Sequence, residues 1–276
     1  IPALNPIVPA GTSPTILNGY HISCSGASDG EIIASATGGT PLSGPEPYEY
    51  SKDGGTTYQS SPIFSGLSAG PYTITYRDAN NCIQDETITL SEPPNLLGSL
   101  SVTDSVSCNG VNDGEITFEV DLINTGVGPY LYSLDNGLIY QPSNVFSNLV
   151  GDSLYEVKVR DNITCQYTTT VYLASPAAIS HSTIVETPLN MNGYNVSCPG
   201  AADGVITASA TGGTGAFTYS IDGGITYQSS PAFSGLTAGL YTITYKDANN
   251  CTADTAVTLI EPPNCPVLGC TDPTST

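Results

Sequence analysis

The chain has 276 residues, 25 acidic and 5 basic side chains, a formal charge of −20, and 29 Gly with 21 Pro. Five scattered cations cannot neutralise a row of phosphates or hold an anionic lipid surface, and no apolar run approaches the roughly 18 residues of a membrane helix; nucleic-acid binding and direct membrane insertion are excluded. A hydrophobic share of 39% with 17 Tyr is too high for a disordered acidic tail, so the composition describes a folded acidic chain.

The opening Ile1-Pro-Ala-Leu-Asn-Pro6 reads as part of a leading linker over residues 1–12. No signal peptide precedes Ile1, and eight cysteines without metal-ligand spacing suit an oxidising compartment, so the chain reads as a mature protein or an excised piece, the arbitrary opening favouring the latter. The first element is the loop Cys24-Ser-Gly-Ala-Ser-Asp29-Gly30, leading into a strand-like stretch over 31–37 and a Gly38-Gly39 turn. Asp53-Gly54-Gly55 is a hairpin signal, because Gly tolerates positive φ. Phe64-Ser-Gly-Leu67 follows. In Tyr72-Thr-Ile74-Thr-Tyr76 the alternation has period two, placing the Tyr and Ile on one face. Tyr72 is either a tyrosine corner, its hydroxyl tied to upstream backbone, or a core residue. The unit ends with Asp78 to Cys82, a strand over 87–90, and the joint Glu92-Pro93-Pro94.

The same unit then returns twice. Its opening loop recurs at Cys108-Asn-Gly-Val-Asn-Asp113-Gly114 and Cys198-Pro-Gly-Ala-Ala-Asp203-Gly204, its Phe-Ser-x-Leu at Phe146 and Phe233, and its Asp-x-x-x-Cys at Asp161–Cys165 and Asp247–Cys251. Between residues 57–82 and 226–251 only 4 of 26 positions differ, so these are copies of one domain. The boundaries read as sandwich repeats over 13–94, 95–176 and 177–263, with a Cys-containing tail or start of a further module over 264–276. About seven short strands per unit, without a convincing helix, predict an all-β chain of three tandem immunoglobulin-like antiparallel β-sandwich domains. Pro-rich joints and the dispersed negative charge predict an elongated rod.

In each unit the first cysteine precedes the second by 58, 57 or 53 residues. That near-constant spacing predicts one bridge per unit: Cys24–Cys82, Cys108–Cys165 and Cys198–Cys251. Cys265 and Cys270 then pair with each other or with a cysteine further along. A cross-link of that loop size is worth roughly 4 kcal/mol in the chain-entropy model, comparable to the stability of an 85-residue domain.

The combination of Cys-x-Gly-x-x-Asp-Gly, Gly-Gly-Thr, Tyr-x-Tyr-Ser, Asp-Gly-Gly, Phe-Ser-Gly-Leu, Ala-Gly-x-Tyr-Thr-Ile-Thr-x-(Lys/Arg)-Asp-Ala-Asn-Asn-Cys and Glu-Pro-Pro resembles the SprB-type repeat of surface adhesins in gliding Bacteroidota, over about residues 14–262. The middle unit departs from it with Asn148 for Gly and Gly151-Asp-Ser-Leu154 for Ala-Gly-x. Gly269-Cys270-Thr-Asp-Pro-Thr resembles the start of a Cys-bounded module found near the C-termini of such proteins. The resemblance implies type IX secretion, display on the outer cell surface and adhesive or stalk duty. It implies no reaction.

Asp29, Asp113 and Asp203 are the weak calcium candidates, since hard cations want clustered oxygens. An Asx turn explains each without a cation and is preferred; the same holds for Asp78, Asp161 and Asp247. No cofactor is expected. His21 and His181 lack a Ser or Cys in a nucleophile elbow, so no enzyme is expected either. Ser105, Ser153 and Thr255 lie in Asp-(Ser/Thr)-hydrophobic triplets that resemble the O-glycan acceptor of Bacteroidota. Asn162, Asn195 and Asn250 open N-x-(Ser/Thr) sequons, which are disfavoured beside the O-linked set. Two roles remain: an adhesive segment touching a polysaccharide or solid surface, or neighbouring copies in a filament; and, alternatively, a passive stalk that projects another domain.

Overall fold

The computed structural model describes residues 5–16, 18–121, 123, 125–186 and 193–265, and no helix occurs among them. Among the described residues nineteen strands follow in chain order. The first repeat supplies β1 (Val8–Pro9), β2 (Gly30–Ile33), β3 (Ala36–Thr37), β4 (Glu49–Ser51), β5 (Ile63–Leu67), β6 (Gly70–Arg77) and β7 (Ile83–Leu90). The second supplies β8 (Gly98–Asp104), β9 (Gly114–Val120), β10 (Leu131–Ser133), β11 (Val145–Leu149), β12 (Ser153–Arg160) and β13 (Gln166–Leu173). The third supplies β14 (Ser180–Glu186), β15 (Gly204–Thr211), β16 (Thr218–Ser220), β17 (Ala232–Leu236), β18 (Gly239–Lys246) and β19 (Thr252–Leu259).

The sheet orders repeat. One sheet runs β4-β6-β7, β10-β12-β13 or β16-β18-β19; the other runs β11-β9-β8 or β14-β15-β17, and in the first repeat it is split into β2-β5 and β1-β3. The strand pairs of the first and third repeats are antiparallel, with Tyr72 opposite Ile88 and Tyr241 opposite Val257 in the two long hairpins. Both sheets feed one core: Ile32 and Phe64 from one side meet Tyr50, Ile74, Tyr76 and Leu90 from the other. The third repeat does the same with Ile206, Ala208 and Phe233 against Ile243, Tyr245, Val257 and Leu259. Period-two alternation therefore produced an antiparallel sandwich, as expected for half-buried strands.

By packing, the chain divides into two compact units. One is built from Ile1–Ser101, Thr117–Phe146 and Tyr155–Val171, the other from Val102–Ile116, Ser147–Leu154 and Tyr172–Thr276. The first repeat lies wholly in the former and the third in the latter, while the second contributes segments to both.

Residues expected to be a leading linker take part in the first sandwich. β1 pairs with β3, and Ile7 is buried in its core. The Gly-Gly turns explain the attachment. Gly38 (φ +79°) and Gly212 (φ +79°) sit where a Cβ would run into the carbonyls of Pro6 and Ala178, so only glycine lets the incoming chain cross. The next N–H groups, of Gly39 and Gly213, donate to Asn5 and Ala177 carbonyls at 2.9 Å.

The hydroxyls of Tyr72 and Tyr241 donate to the carbonyls of Ser68 and Thr237, four residues upstream, at 3.0 and 2.9 Å. That is the tyrosine-corner arrangement. Both rings are half-buried against their cores as well, so the two readings of these residues hold together.

Candidate functional site

Three kinds of polar loop recur, and each is closed by its own side chains. In the cysteine loops, Asp29, Asp113 and Asp203 accept the N–H of Ser23, Ser107 and Ser197 at 3.1, 2.9 and 3.0 Å. The Ser side chain first, and its N–H second, hold each of these carboxyls below the usual carboxylate range. Gly26 and Gly200, both at positive φ, donate to Glu92 and Glu261 of the Glu-Pro-Pro joints at 2.7 and 2.9 Å. Motif pieces more than 60 residues apart thus form one end of a sandwich.

In the Asp-x-x-x-Cys turns, Asp78, Asp161 and Asp247 are buried and saturated. The Oδ1 of Asp78 accepts the N–H groups of Asn80 and Cys82, and its Oδ2 that of Thr40. Asp161 does the same with Ile163, Cys165 and Val127, and Asp247 with Asn249, Cys251 and Thr214, all within 3.0 Å. The Thr40 N–H is the leading cause that keeps Asp78 below its ordinary value.

The third kind was only half legible in sequence. Asp-Gly-Gly reads as a turn, but the buried serine two residues earlier organises it. The hydroxyls of Ser51, Ser133 and Ser220 donate to Asp53, Asp135 and Asp222 at 2.6 Å and accept the N–H groups of Gly55, Gly137 and Gly224. The spacing Ser-x-Asp-x-Gly in all three copies is the signal that would have found it. The Ser51 and Thr57 hydroxyls hold Asp53 well below the carboxylate range, and Ser220 and Thr226 do so for Asp222. Beside each loop a cation covers a tyrosine face: Arg77 over Tyr58, Arg160 over Tyr140, Lys246 over Tyr227, at 3.7, 4.3 and 3.7 Å.

The disulfides differ from the expected set. Cys24 bonds Cys165, Cys108 bonds Cys251, and Cys198 bonds Cys265, while Cys82 is an exposed free thiol. The expected bridges Cys24–Cys82, Cys108–Cys165 and Cys198–Cys251 are absent, and so is any Cys265–Cys270 bridge, since Cys265 is taken; Cys270 itself lies outside the described residues. Geometry gives the reason. Cys24 is fastened beside Ser91 and Glu92, at the end of the β6–β7 hairpin where Gly70 faces Leu90. Cys82 sits at the other end, beside the Arg77–Ile83 pair. Eight residues of strand separate the two ends by about 25 Å, against a Cα–Cα limit of about 7 Å for a bridge. Cys198 and Cys251 are parted in the same way by β18 and β19. The Cys24–Cys165 and Cys108–Cys251 bridges each join the cysteine loop of one repeat to the Asp-x-x-x-Cys turn of the next, with Cα–Cα distances of 5.5 and 5.6 Å, whereas Cys198–Cys265 ties the third cysteine loop to the residue that follows its own repeat. Around the second bridge lies a cleft of about 480 Å³ lined by Asn109, Val111, Pro176, Ile179, Asp247 and Asn250.

The remaining candidates are placed as follows. Ser105 is exposed, Ser153 and Thr255 are half-buried, and Ser153 donates to the Gly151 carbonyl at 3.2 Å. Asn162 and Asn250 are exposed, whereas Asn195 is buried with its Oδ1 accepting the Ile260 N–H, which leaves that amide engaged. The His21 Nδ1 accepts the Ser91 N–H at 3.0 Å and lies 2.8 Å from its Oγ. His181 stacks on Tyr245 with ring centroids 4.9 Å apart. Among the described residues no three His, Cys, Asp or Glu side chains gather as a metal site would require.

The SprB repeat profile matches residues 100–138 and 194–226. This chain carries SprB-type repeats. The two matched stretches cover a cysteine loop and the strands and turns behind it in the second and third repeats; the first repeat shares its motifs with the third. No curated protein matches the chain. Among solved structures, it is similar to the three N-terminal domains of the bacteriophage RB49 highly immunogenic outer capsid protein, at 12% identity over 92% of this chain and 97% of that one, with a TM-score of 0.33. It is also similar to protocadherin gamma B2 cadherin domains 3–6 (12%, 93% and 78%, TM-score 0.28) and to surface layer protein SbsC domains 4–9 (12%, 91% and 45%, TM-score 0.24).

Proposed function

We propose that the SprB-type repeats form a segment of a large secreted adhesin or surface filament, displayed outside the cell and serving attachment or gliding. The observation that carries this reading is the pair of bridges from one repeat to the next. Disulfides persist in oxidising surroundings, which supports a location outside the cytoplasm. A bridge that spans consecutive repeats also keeps them joined when the main chain between them is pulled, which is what a surface tether under drag requires. The polar loops support a scaffold rather than a reaction centre, because their aspartates are spent on backbone N–H groups and hydroxyls, and Arg77, Arg160 and Lys246 on tyrosine rings.

Adhesion through exposed loops is favoured over a passive stalk by one feature. Leu138 and Ile225 occupy equivalent positions in the Ser-x-Asp-x-Gly loops and are 86% and 81% exposed, where the first repeat has Thr56. The test is attachment of the 276-residue chain to polysaccharide-coated and bare hydrophobic surfaces, beside a Leu138→Thr, Ile225→Thr double variant. Attachment that falls in the variant while the melting temperature stays put supports contact through these loops. No attachment by either protein leaves the stalk as the role.

A further inference from the structure

The free thiol of Cys82 stands in a loop that is otherwise the same as two loops already bridged. In all three copies the cysteine N–H donates to the Asp Oδ1 at 2.9 Å, and the Asp N–H donates to the cysteine carbonyl at 3.0 Å. The residue before the cysteine is left-handed each time: Asn81 at φ 61°, Thr164 at 73° and Asn250 at 66°. In two of the three loops the sulfur then meets an incoming cysteine loop. Cys165 Sγ lies 3.3 Å from the Ser23 carbonyl and Cys251 Sγ 3.3 Å from that of Ser107, the residue before the bridging cysteine in both cases. In the third repeat Asn249 also donates to the Ser107 carbonyl at 3.1 Å. Its counterpart Asn80 donates instead to Thr40 Oγ1 of its own repeat, at 2.8 Å.

We infer that Cys82 is the receiving half of a further repeat-to-repeat disulfide, and that its partner is the Cys-x-Gly-x-x-Asp-Gly loop of an additional SprB-type repeat placed N-terminal to the first. The direction follows from the stagger: the loop cysteine always comes from the repeat one earlier than the receiving turn, as Cys24 does for Cys165 and Cys108 for Cys251. A second copy of this chain is a poorer donor, because Cys24, Cys108 and Cys198 are all bonded already. Docking would turn Asn80 from Thr40 to the incoming carbonyl, as Asn249 is turned. The bond forms by oxidation: two thiols lose two protons and two electrons, and a small disulfide such as oxidised glutathione takes them up as its S–S bond is cleaved to two thiols. The inference rests on the stagger of the bridges and not on adhesion, so a failed attachment assay leaves it untouched.

The test extends the whole chain at its N-terminus, in one protein by a copy of residues 95–176 and in a second by a copy of residues 13–94. After oxidation with glutathione disulfide and alkylation, peptides are mapped without reduction, and the Cys24–Cys165 peptide reports that the receiving repeats are folded. The expected result is a peptide joining the loop cysteine of the added repeat to Cys82, with loss of Cys82 alkylation. In the Cys82→Ser version the added loop cysteine becomes alkylatable instead. Three outcomes would overturn the inference: Cys82 still alkylated in both extended chains, a bridge closed within the added repeat, or covalent dimers joined Cys82 to Cys82.

Discussion

Cys24 and Cys165 are 141 residues apart in sequence and 5.5 Å apart at their Cα atoms, each in a loop that its own repeat has already closed with an aspartate. The bridge fastens two finished loops together rather than shaping either one. Its counterpart Cys108–Cys251 has the same character, and several consequences can be measured.

Reduction should destabilise the chain far more than chelation. A loop of 141 or 143 residues is worth about 5 kcal/mol in the chain-entropy model, less where two loops overlap. For a protein of this size that is a fall in melting temperature on the order of 10 to 20 °C. EDTA is expected to move it by no more than a few degrees, because the Ser23, Ser107 and Ser197 N–H groups already engage Asp29, Asp113 and Asp203. Calorimetry with reductant and with EDTA checks both, and equal shifts would return those acids to the list of metal ligands.

Pulling the chain by its ends gives a length signature. The 227 residues from Cys24 to Cys251 would extend to about 800 Å if unbridged. With both bridges intact the shortest covalent path runs through the residues between Cys108 and Cys165, about 200 Å. Single-molecule extension should therefore gain roughly 600 Å on reduction. Bridges closed within each repeat would give a different release, in steps of one repeat.

Asp247→Asn is expected to cost about 1–3 kcal/mol, because one of the three N–H groups it serves must then face an amide donor. Urea unfolding measures this. The loss should be localised, with faster hydrogen exchange at Thr214 and Cys251, whose N–H groups Asp247 accepts.

Acid should open the Ser-x-Asp-x-Gly loops. The carboxyls of Asp53 and Asp222 are depressed in the folded chain, so the stability they contribute is complete above the unfolded value of about 3.9 and is lost as pH falls through the lower folded value. Melting temperature is expected to be insensitive to these groups above about pH 5 and to fall below about pH 4. An Asp53→Asn, Asp222→Asn double variant should be less stable at neutral pH and should fall less in acid. Comparing the two proteins cancels the relief of the −20 charge that both share on protonation.

Much of this fold could be read from the chain itself. Period-two alternation puts Ile74 and Tyr76 inside whatever else the chain does, because successive side chains of a strand leave on opposite faces. Gly38 and Gly212 announce turns because their φ is closed to other residues. Tyr72 kept two meanings open that its half-buried ring and bonded hydroxyl turned out to satisfy together.

The cysteines show where such reading stops. A near-constant spacing of 58, 57 and 53 residues looks like one bridge per repeat, yet adding one repeat length to it gives the observed 141 and 143 with the same regularity. Sequence periodicity is unchanged by sliding one partner along the array, so it determined the kind of loop that carries each cysteine but not which loops meet. That was decided by the tertiary structure. A hairpin of two eight-residue strands holds Cys24 and Cys82 at opposite ends of one sandwich, far beyond the reach of an S–S bond, while Cys24 lies within reach of Cys165 in the next repeat.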